Sequence, residues 1–276
     1  MKKLEKALEV LKNYKIPNDI TLWDKPLTNT HLQDNFTYCI KTEELSINKK
    51  EIPVLGASLT LGAPQLPENF EWPKDYYFLC QLNLNDLTNA DLHELFPKEG
   101  MLYIFLDPSC FEDENFSKTG AKVYYYSGAN EALELKDFPA KDSFNEDNKY
   151  YYNKFKESNK ITAFRPCFGF NYLKGLNKDL PSKLIQDIEA TTGATYDNDN
   201  NPTGNIYGEG LFYQGEEMWH FFAPEDWDFG MEIYDCGDKI LMFQTYLGDA
   251  AIHFWIEREN LKNADFSEVF ATYSGT

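Results

Sequence analysis

Several features that mark common classes of protein are missing from this chain of 276 residues. No run of about eighteen apolar residues occurs, so the sequence predicts no membrane-spanning helix. Glu5, Lys6 and Glu9 interrupt the apolar residues at the start of the chain, which predicts no secretory signal. The five cysteines form no Cys-x-x-Cys pair, and this usage is typical of reduced thiols in a cytoplasm.

Positive charge is also scarce. The chain has 26 lysines and arginines against 45 aspartates and glutamates, which gives a net charge of −19. Because phosphate backbones and anionic lipids repel such a chain, the composition argues against binding to nucleic acid or to a membrane surface. For the two arginines, Arg165 and Arg258, we predict pairing with carboxylates of the chain, with anion binding as the alternative.

Sequence motifs of catalysis are missing as well. The chain contains no G-x-S-x-G nucleophile elbow, no H-E-x-x-H zinc motif and no G-x-x-x-x-G-K phosphate loop. The four histidines, which show no paired spacing, are His31, His93, His220 and His253. We therefore predict no catalytic residue, no metal ligand and no cofactor, and we expect His220 and His253 to be half-buried strand residues.

One segment has the oxygen spacing of a calcium loop. Residues 197–201 read Asp-Asn-Asp-Asn-Asn, with Asp197 and Asp199 at alternate positions. However, Pro202 stands where an EF-hand needs glycine, and Gly208 stands where it needs glutamate. A turn rich in asparagine and aspartate is the simpler interpretation, and calcium binding is the alternative.

Apolar spacing predicts few helices and many short strands. Helices are predicted near residues 4–11, over residues 83–96 and over residues 181–192, where Pro181 suits the start and Gly193 the end. Strands are predicted over residues 101–106, 122–127, 211–214, 218–222, 231–234, 239–246, 251–256 and 270–273. This pattern favours an α+β fold with mainly antiparallel sheets.

A run of sequence occurs twice, in full over residues 61–106 and in a weaker form from residue 207 onward. Gly62 corresponds to Gly208 in this comparison, and Gln81 corresponds to Gln244. Self-similarity at long period indicates two copies of one structural unit, here a β-rich unit duplicated with pseudo-twofold symmetry.

The repeats also predict how the chain is divided. We expect residues 1–50 to form an N-terminal helix and a lead-in, which after the helix is mainly loop. Residues 51–276 are predicted to form a single domain of two repeats, at about residues 55–130 and 200–275. The polar, tyrosine-rich residues 136–160 are expected to be a surface excursion that joins the two halves.

The motifs of the two repeats resemble those of the YwqG-like family, the domain of unknown function numbered 1963. A G-x-P-x-L-P…W-P element and an F-x-x-Q-x-N-L element match in the first repeat, and a closing G-D…F-W-I element matches in the second. The matching residues are Gly62, Pro64, Leu66, Pro67, Trp72, Pro73, Phe78, Gln81, Asn83, Leu84, Gly208, Phe212, Gln214, Gly248, Asp249, Phe254, Trp255, Ile256, Leu261 and Phe266. Gly210 and Asn260 depart from the family pattern. The resemblance implies a duplicated α+β fold, an undetermined activity and, for some members, a neutralising role beside secreted toxins.

An acidic block follows the last predicted helix. Residues 184–238 hold thirteen acids and no lysine or arginine, and aromatic residues such as Trp219 and Trp227 stand among the acids, beside Asp228. Acids with aromatic anchors are typical of a docking site for a basic protein. The alternative is that the acids form the solvated face of strands whose other face holds the aromatics in the core.

Glutamines and tryptophans complete the candidate site. A glutamine inside an apolar strand needs partners for its amide, so we predict that Gln81 and Gln244 bond to loop backbone. The alternative is that both line a cleft between the repeats, and that Trp72 and Trp255 stack on a ligand instead of covering the edges of the core. The candidate binding residues are Trp72, Gln81, Gln214, Trp219, Trp227, Asp228, Gln244, His253 and Trp255.

Two functional hypotheses follow from these patterns. The leading one is a non-enzymatic, acidic binding protein of the cytoplasm that captures a basic protein partner, in the manner of a toxin-neutralising immunity protein. The other is a small-molecule-binding protein or hydrolase that uses a cleft between the repeats. A stable homodimer would instead favour a scaffolding role.

Overall fold

The structure is a computed structural model that describes residues 2–46, 53–111, 120–156, 159–170, 173, 175–197, 204–208 and 239–274. The strands in these residues are β1 (Thr21–Leu22), β2 (Lys25–Pro26), β3 (Phe36–Ser46), β4 (Leu59–Thr60), β5 (Gln65–Pro67), β6 (Tyr77–Asn83), β7 (Met101–Leu106), β8 (Ala121–Tyr126), β9 (Leu133–Leu135), β10 (Lys160–Phe170), β11 (Thr195–Tyr196), β12 (Gly204–Ile206), β13 (Lys239–Leu247), β14 (Ala250–Glu257) and β15 (Phe270–Ser274). The helices are α1 (Lys3–Asn13), α2 (Asn29–Asp34), α3 (Leu84–Leu87), α4 (Tyr152–Phe155), α5 (Ser182–Thr192) and α6 (Arg258–Lys262).

One large sheet organises the fold. Its strands follow the order β15-β14-β13-β12-β3-β10-β4-β6-β7-β8, and β11 pairs with β10 beside this path. All neighbours along the path are antiparallel, and only the pair of β10 and β11 in this sheet is parallel among the described residues. The end strands β8 and β15 contact each other, so the sheet is nearly closed. The predicted α+β fold with mainly antiparallel sheets is confirmed.

Side chains alternate between two apolar clusters along the strands of the first half. In β7, Leu102, Ile104 and Leu106 pack into the main core, whereas Met101, Tyr103 and Phe105 pack into a second cluster on the opposite face. This alternation is the period of two that a pleated strand imposes. A strand covered on both faces is apolar at every position, which is why the sequence of β7 contains no polar residue other than tyrosine.

The helices cover the main core, and a side chain of α2 bonds to the C-terminal end of α1. Ala7 and Leu11 of α1 are fully buried in the core, and α1 contacts both α2 and α5. The side chain of Asn29 donates to the carbonyls of Leu11 and Tyr14 at 2.6 and 2.8 Å. These bonds satisfy carbonyls that the end of a helix leaves without partners.

Most of the locally predicted elements are present. Helix α5 begins after Pro181 and ends at Gly193, whose φ of 76° is the left-handed conformation that favours glycine. The strands predicted over residues 101–106, 239–246 and 251–256 correspond to β7, β13 and β14. The strands predicted over residues 211–214, 218–222 and 231–234 lie outside the described residues.

One long strand, β3, contradicts the prediction of loop in the lead-in. Strand β3, Phe36–Ser46, pairs with β10, Lys160–Phe170, over eleven residues, and β3 also pairs with β12. The prediction of loop is therefore wrong for β3, which lies near the middle of the large sheet. It failed because β3 carries five polar residues in its second half, and its order comes from a partner more than a hundred residues away.

The helix predicted over residues 83–96 is much shorter than expected. Helix α3 ends at Leu87, and the chain then turns, with Glu94 at a φ of 57°. The carboxylate of Asp91 accepts hydrogen bonds from the backbone N–H groups of Glu94, Leu95 and Phe96 at 2.9, 3.0 and 2.9 Å. A short acidic side chain that bonds nearby backbone N–H groups competes with the helix, and here it prevails.

The segment of residues 136–160 is more than a surface excursion. Its aromatic residues Phe144, Tyr152 and Phe155 are buried in the main core, and Phe144 and Phe155 stack on Tyr77 with ring centroids 4.2 and 4.6 Å apart. The polar residues between them are mostly exposed. The segment is thus fixed to the sheet by aromatic side chains whose spacing shows no regular period.

Candidate functional site

Two tight turns occupy comparable places in the two halves of the sheet. Strand β4 is followed by residues Leu61–Gly62, with φ values of 59° and 69°, and β12 by Tyr207–Gly208, with φ values of 62° and 76°. The first residue of each turn donates its backbone N–H to a carbonyl of the following long strand. Leu61 donates to Leu79 of β6 at 2.8 Å, and Tyr207 donates to Leu241 of β13 at 3.0 Å. Each turn needs a left-handed second residue, which explains the matching glycines.

The glutamines that follow these turns also correspond. Gln81 in β6 lies opposite Leu59 of β4, and Gln244 in β13 lies opposite Asn205 of β12. A register shift precedes the glutamine in both β6 and β13. Strands β4, β6, β7 and β8 extend from β10 in the same order as β12, β13, β14 and β15 extend from β3. The predicted duplication would account for these shared features, and it stays a prediction.

Gln81 is fully buried within a hydrogen-bonded network of loop backbone. Its Oε1 accepts from the backbone N–H of Gln65 at 2.7 Å, and its Nε2 donates to the carbonyl of Ala57 at 2.7 Å. Gln65 follows the Gly-Ala-Pro turn of the same repeat. This arrangement is the structural role that the sequence predicts for Gln81, because both ends of its buried amide bond to loop backbone.

A second buried glutamine extends this network. The side-chain Oε1 of Gln65 accepts from the backbone N–H of Gly56 at 2.7 Å, and its Nε2 donates to the carbonyls of Pro53 and Val54, both at 3.1 Å. The hydroxyl of Tyr103 donates to the backbone carbonyl of Gln65 at 2.9 Å. Gln65 and Gln81 together therefore hold residues 53–58 against the face of β6 and β7 on which Tyr103 lies.

Polar side chains form a buried row at the matching place in the second half. Gln244, His253 and Thr272 lie directly opposite one another on β13, β14 and β15, and all three are nearly or fully buried. The indole of Trp255 donates to Thr272 Oγ1 at 3.0 Å, and Thr272 Oγ1 lies 3.2 Å from His253 Nδ1. Which of the two groups donates in the contact between Thr272 Oγ1 and His253 Nδ1 depends on the tautomer of the imidazole.

The chemistry of this row, which we call the polar row (Gln244, His253, Thr272 and the adjoining Trp255), is that of hydrogen-bond donors and acceptors. A hydroxyl bonded to an imidazole is also the arrangement of a nucleophile and its base. Here Thr272 and His253 are both 0% exposed, so a substrate does not reach Oγ1 in this conformation. The burial of His253 exceeds the half-buried position that the sequence predicts.

Trp72 covers an edge of the second apolar cluster. Its indole donates to the carbonyl of Tyr76 at 2.8 Å, and its ring packs edge-on against Phe105 and Phe138, at 5.3 and 5.6 Å between centroids. Both ring partners belong to the apolar clusters of the protein, which favours the predicted structural role over ligand stacking. The other candidates, Gln214, Trp219, Trp227 and Asp228, lie outside the described residues.

An ionic cluster beside the polar row has no signal in the sequence. Lys41 of β3 lies opposite Arg165 of β10, and both contact Asp197 Oδ2, at 2.9 and 3.1 Å. Arg165 also bonds Glu43 at 2.8 Å. Two carboxylates thus balance two cations, which gives Arg165 the intramolecular pairing that the sequence predicts. Asp197 is the first residue of the alternative calcium loop. In the structure its carboxylate contacts the cations Lys41 and Arg165.

A cluster of Tyr207, Asp91 and His93 connects the two halves and was also missed from the sequence. The hydroxyl of Tyr207 donates to Asp91 Oδ1 at 2.8 Å, and burial raises the pKa of Tyr207. The ring of His93 lies 4.6 Å from that of Tyr207 and 5.8 Å from that of Tyr38. Tyr207 lies 116 positions from Asp91 in the sequence, so no spacing brings it together with Asp91 and His93.

His93 is expected to make the protein less stable in mild acid. Burial lowers the pKa of His93, with Arg258 and Lys2 acting in the same direction and Asp91 opposing them. In the unfolded chain its pKa is about 6.5, so the stabilisation is fully present above that pH and is lost as the pH falls below it. Replacing His93 by phenylalanine should flatten the fall in the free energy of unfolding between about pH 7 and pH 5.

Urea denaturation across this pH range would measure the effect. His31→Gln is the matched control, because it also removes an imidazole, in this case one that is partly exposed near the start of α2. Identical pH profiles for the wild-type protein and His93→Phe would contradict the assignment of this acid sensitivity to His93.

Two further properties are limited to the part of the chain that the structure describes. Within it, no group of three or more histidine, cysteine, aspartate or glutamate side chains is placed to hold a metal ion. None of its helices combines the length and the apolar character that crossing a membrane requires.

Comparison with known proteins agrees with the motifs and the fold. The family model described as Domain of unknown function (DUF1963) matches residues 58–274, which include both glycine turns, Gln81 and the polar row. No curated protein matches the chain. The match covers most of the sequence and confirms the resemblance stated from the motifs. The chain therefore belongs to the DUF1963 family.

Proposed function

We propose that this protein is a non-enzymatic binding protein of the cytoplasm that captures a basic protein partner. The observation that carries the proposal is the composition of residues 209–238, which include nine acids and no lysine or arginine. A stretch of one charge sign attracts an oppositely charged partner and speeds its association. A basic toxin neutralised by an immunity protein is one partner of this chemistry.

The contacts of the described residues support placing the unbalanced acids of the block in residues 198–238. Within the acidic block, Asp187 pairs with Lys183 at 2.5 Å, Glu189 accepts from the backbone N–H of Tyr196 at 3.1 Å, and Asp197 contacts Lys41. These three acids are therefore engaged inside the protein. The remaining acids of the block fall within residues 198–238, where the sequence contains no cation to balance them.

Two further observations support the remaining parts of the proposal. Cys39, Cys80 and Cys167 are free thiols, and burial raises the pKa of Cys39 to about 12, which keeps it protonated. Free thiols of this kind suit a reducing cytoplasm. The sequence also lacks the motifs of nucleophilic, metal-dependent and phosphate-transfer catalysis, which favours binding over reaction.

Neutralising acids of the block is expected to weaken binding of a basic probe, here a nona-arginine peptide, by about tenfold at low salt. The reason is the loss of five attractive charges from one segment. Isothermal titration calorimetry would measure the affinity. The substitutions are Glu216→Gln, Glu217→Gln, Glu225→Gln, Asp226→Asn and Asp228→Asn.

A matched control separates the block from the overall charge. Five exposed acids elsewhere are neutralised, which leaves the same net charge as in the block variant. The control substitutions are Glu9→Gln, Glu68→Gln, Glu71→Gln, Glu131→Gln and Glu268→Gln. The control should lose much less affinity than the block variant. Equal losses in both would contradict a docking role for the block.

A small-molecule-binding protein or hydrolase is the second candidate, and it requires that the buried polar row opens to a ligand. Gln244, His253 and Thr272 place an amide, an imidazole and a hydroxyl side by side with little exposure. A thermal-shift screen of uncharged polar metabolites against the wild-type protein and His253→Phe tests this candidate. A compound that stabilises only the wild-type protein would support it, and the absence of any such compound would count against it.

A further inference from the structure

A short hairpin presents an exposed tryptophan on an unfavourable turn. Strands β1 and β2 pair Leu22 with Lys25, so Trp23 and Asp24 alone form the loop. Their φ values are 51° and 61°, the left-handed region at both central positions of a two-residue hairpin. Turns of this type favour Asn-Gly, because residues with a Cβ are strained there. Two such residues in succession therefore reduce the stability of the hairpin.

The hairpin is fixed in place despite this strain. The backbone N–H of Trp23 donates to the carbonyl of Gly175 at 3.0 Å, and Leu22 forms a bridge with Leu176. The backbone N–H of Thr21 donates to Asn177 Oδ1 at 2.8 Å. Residues 175–177 thus act as a third strand beside the hairpin, and the position of residue 23 is set before any partner binds.

The indole of Trp23 lies against backbone on one side only. A Cβ added to Gly175 would come within 2.4 Å of the ring, so glycine is required where the ring rests on the chain. Even so, Trp23 is 71% exposed. The ring therefore has one side on Gly175 and a large surface open to solvent. Strain that persists at an exposed residue whose backbone is fixed is typical of a binding residue, because folding alone would favour asparagine there.

We propose that Trp23 is an anchor for the basic partner, on which an arginine or lysine side chain of that partner stacks. A cation over the face of tryptophan is attracted by the ring, and tryptophan is enriched among the residues that dominate interfaces. The net charge of −19 favours a cationic occupant, whereas the turn itself carries one carboxylate, Asp24, and one ammonium group, Lys25. A residue whose backbone is already fixed loses less conformational freedom on binding than one on a loose loop. The inference rests on the proposed capture of a basic partner.

The test compares two peptides and two properties of Trp23→Asn. Nona-arginine is the cationic probe, and nona-citrulline is its uncharged counterpart of the same shape. Trp23→Asn should bind nona-arginine about threefold more weakly than the wild-type protein, as expected for an exposed cation–π contact. The same variant should melt at an equal or higher temperature, because asparagine fits the turn better. Trp23→Phe should lose less affinity, and nona-citrulline should bind neither protein.

Further variants separate this inference from the proposed function. Tyr150→Ala is the matched control, because Tyr150 is an exposed aromatic residue at 77% and should not affect binding. If Trp23→Asn binds nona-arginine as tightly as the wild-type protein does, the anchor role is overturned while capture stands. If the wild-type protein itself does not bind nona-arginine at low salt, capture of a basic partner is overturned and the anchor role with it.

Discussion

Replacing Gln81 by leucine is expected to lower the free energy of unfolding by about 3 kcal/mol. The substitution keeps a similar volume but removes an acceptor from the backbone N–H of Gln65 and a donor from the carbonyl of Ala57. Gln81 is fully buried, so water does not replace these partners, and each unsatisfied group costs about 1–3 kcal/mol. Urea denaturation followed by circular dichroism measures the change.

A glutamine on the surface provides the control for this experiment. Gln186 lies exposed on α5, and Gln186→Leu should change the free energy of unfolding by less than about 0.5 kcal/mol. If Gln81→Leu were as mild as Gln186→Leu, the amide of Gln81 would have no structural role. A free amide at this position would then favour the interpretation of a cleft between the repeats.

Replacing Asn148 by alanine is expected to cost about 3 kcal/mol for a related reason. Asn148 is fully buried, and its Nδ2 donates to the carbonyl of Asp75 and to Asp107 Oδ1, both at 2.8 Å. Its Oδ1 accepts from the backbone N–H of Ser109 at 3.2 Å. The side chain thus joins residues 136–156 to the ends of β6 and β7. Alongside the loss of stability, limited proteolysis should cut this segment faster.

Asn177 supplies the matched comparison. It also uses both ends of its side chain, accepting from Thr21 at 2.8 Å and donating to Asp19 at 3.0 Å, but it is exposed. Asn177→Ala should therefore cost about 1 kcal/mol, because water replaces the lost partners. Equal effects of Asn148→Ala and Asn177→Ala would show that burial does not set the cost of these bonds.

Local signals in the sequence predicted the elements that depend on local interactions. Strand β7 is six apolar or aromatic residues between polar neighbours, and its bounds were predicted as they stand. Helix α5 combines an apolar stripe with Pro181 before it and Gly193 after it, and both of its ends were predicted to within a residue. The repeated Gly62 and Gly208 were identified because a left-handed turn restricts the residue type.

Elements that depend on distant partners were not predicted. Strands β3 and β10 contain polar and charged residues and, in β10, Pro166, but each is ordered by eleven residues of the other. The predicted helix over residues 83–96 had the right apolar spacing, yet the carboxylate of Asp91 holds the backbone in a turn. In both cases tertiary contacts overrode the local preference.

The candidate site shows the same division. Gln81 and Gln244 were found because they occur in both repeats, and Arg165 because arginine is rare in this chain. The cluster of Asp91 and Tyr207 and the contact of Lys41 with Asp197 join residues more than a hundred positions apart. No spacing in a single sequence reports such contacts, so these groups emerged only from the fold.

The most direct test of the proposed function is the salt dependence of binding to a basic probe. The affinity of the wild-type protein for nona-arginine is measured by isothermal titration calorimetry at about 50 mM and about 300 mM sodium chloride. Electrostatic capture predicts measurable binding at the lower concentration and a loss of at least about tenfold at the higher one. An affinity that does not change with salt, or no binding at the lower concentration, would contradict the proposal.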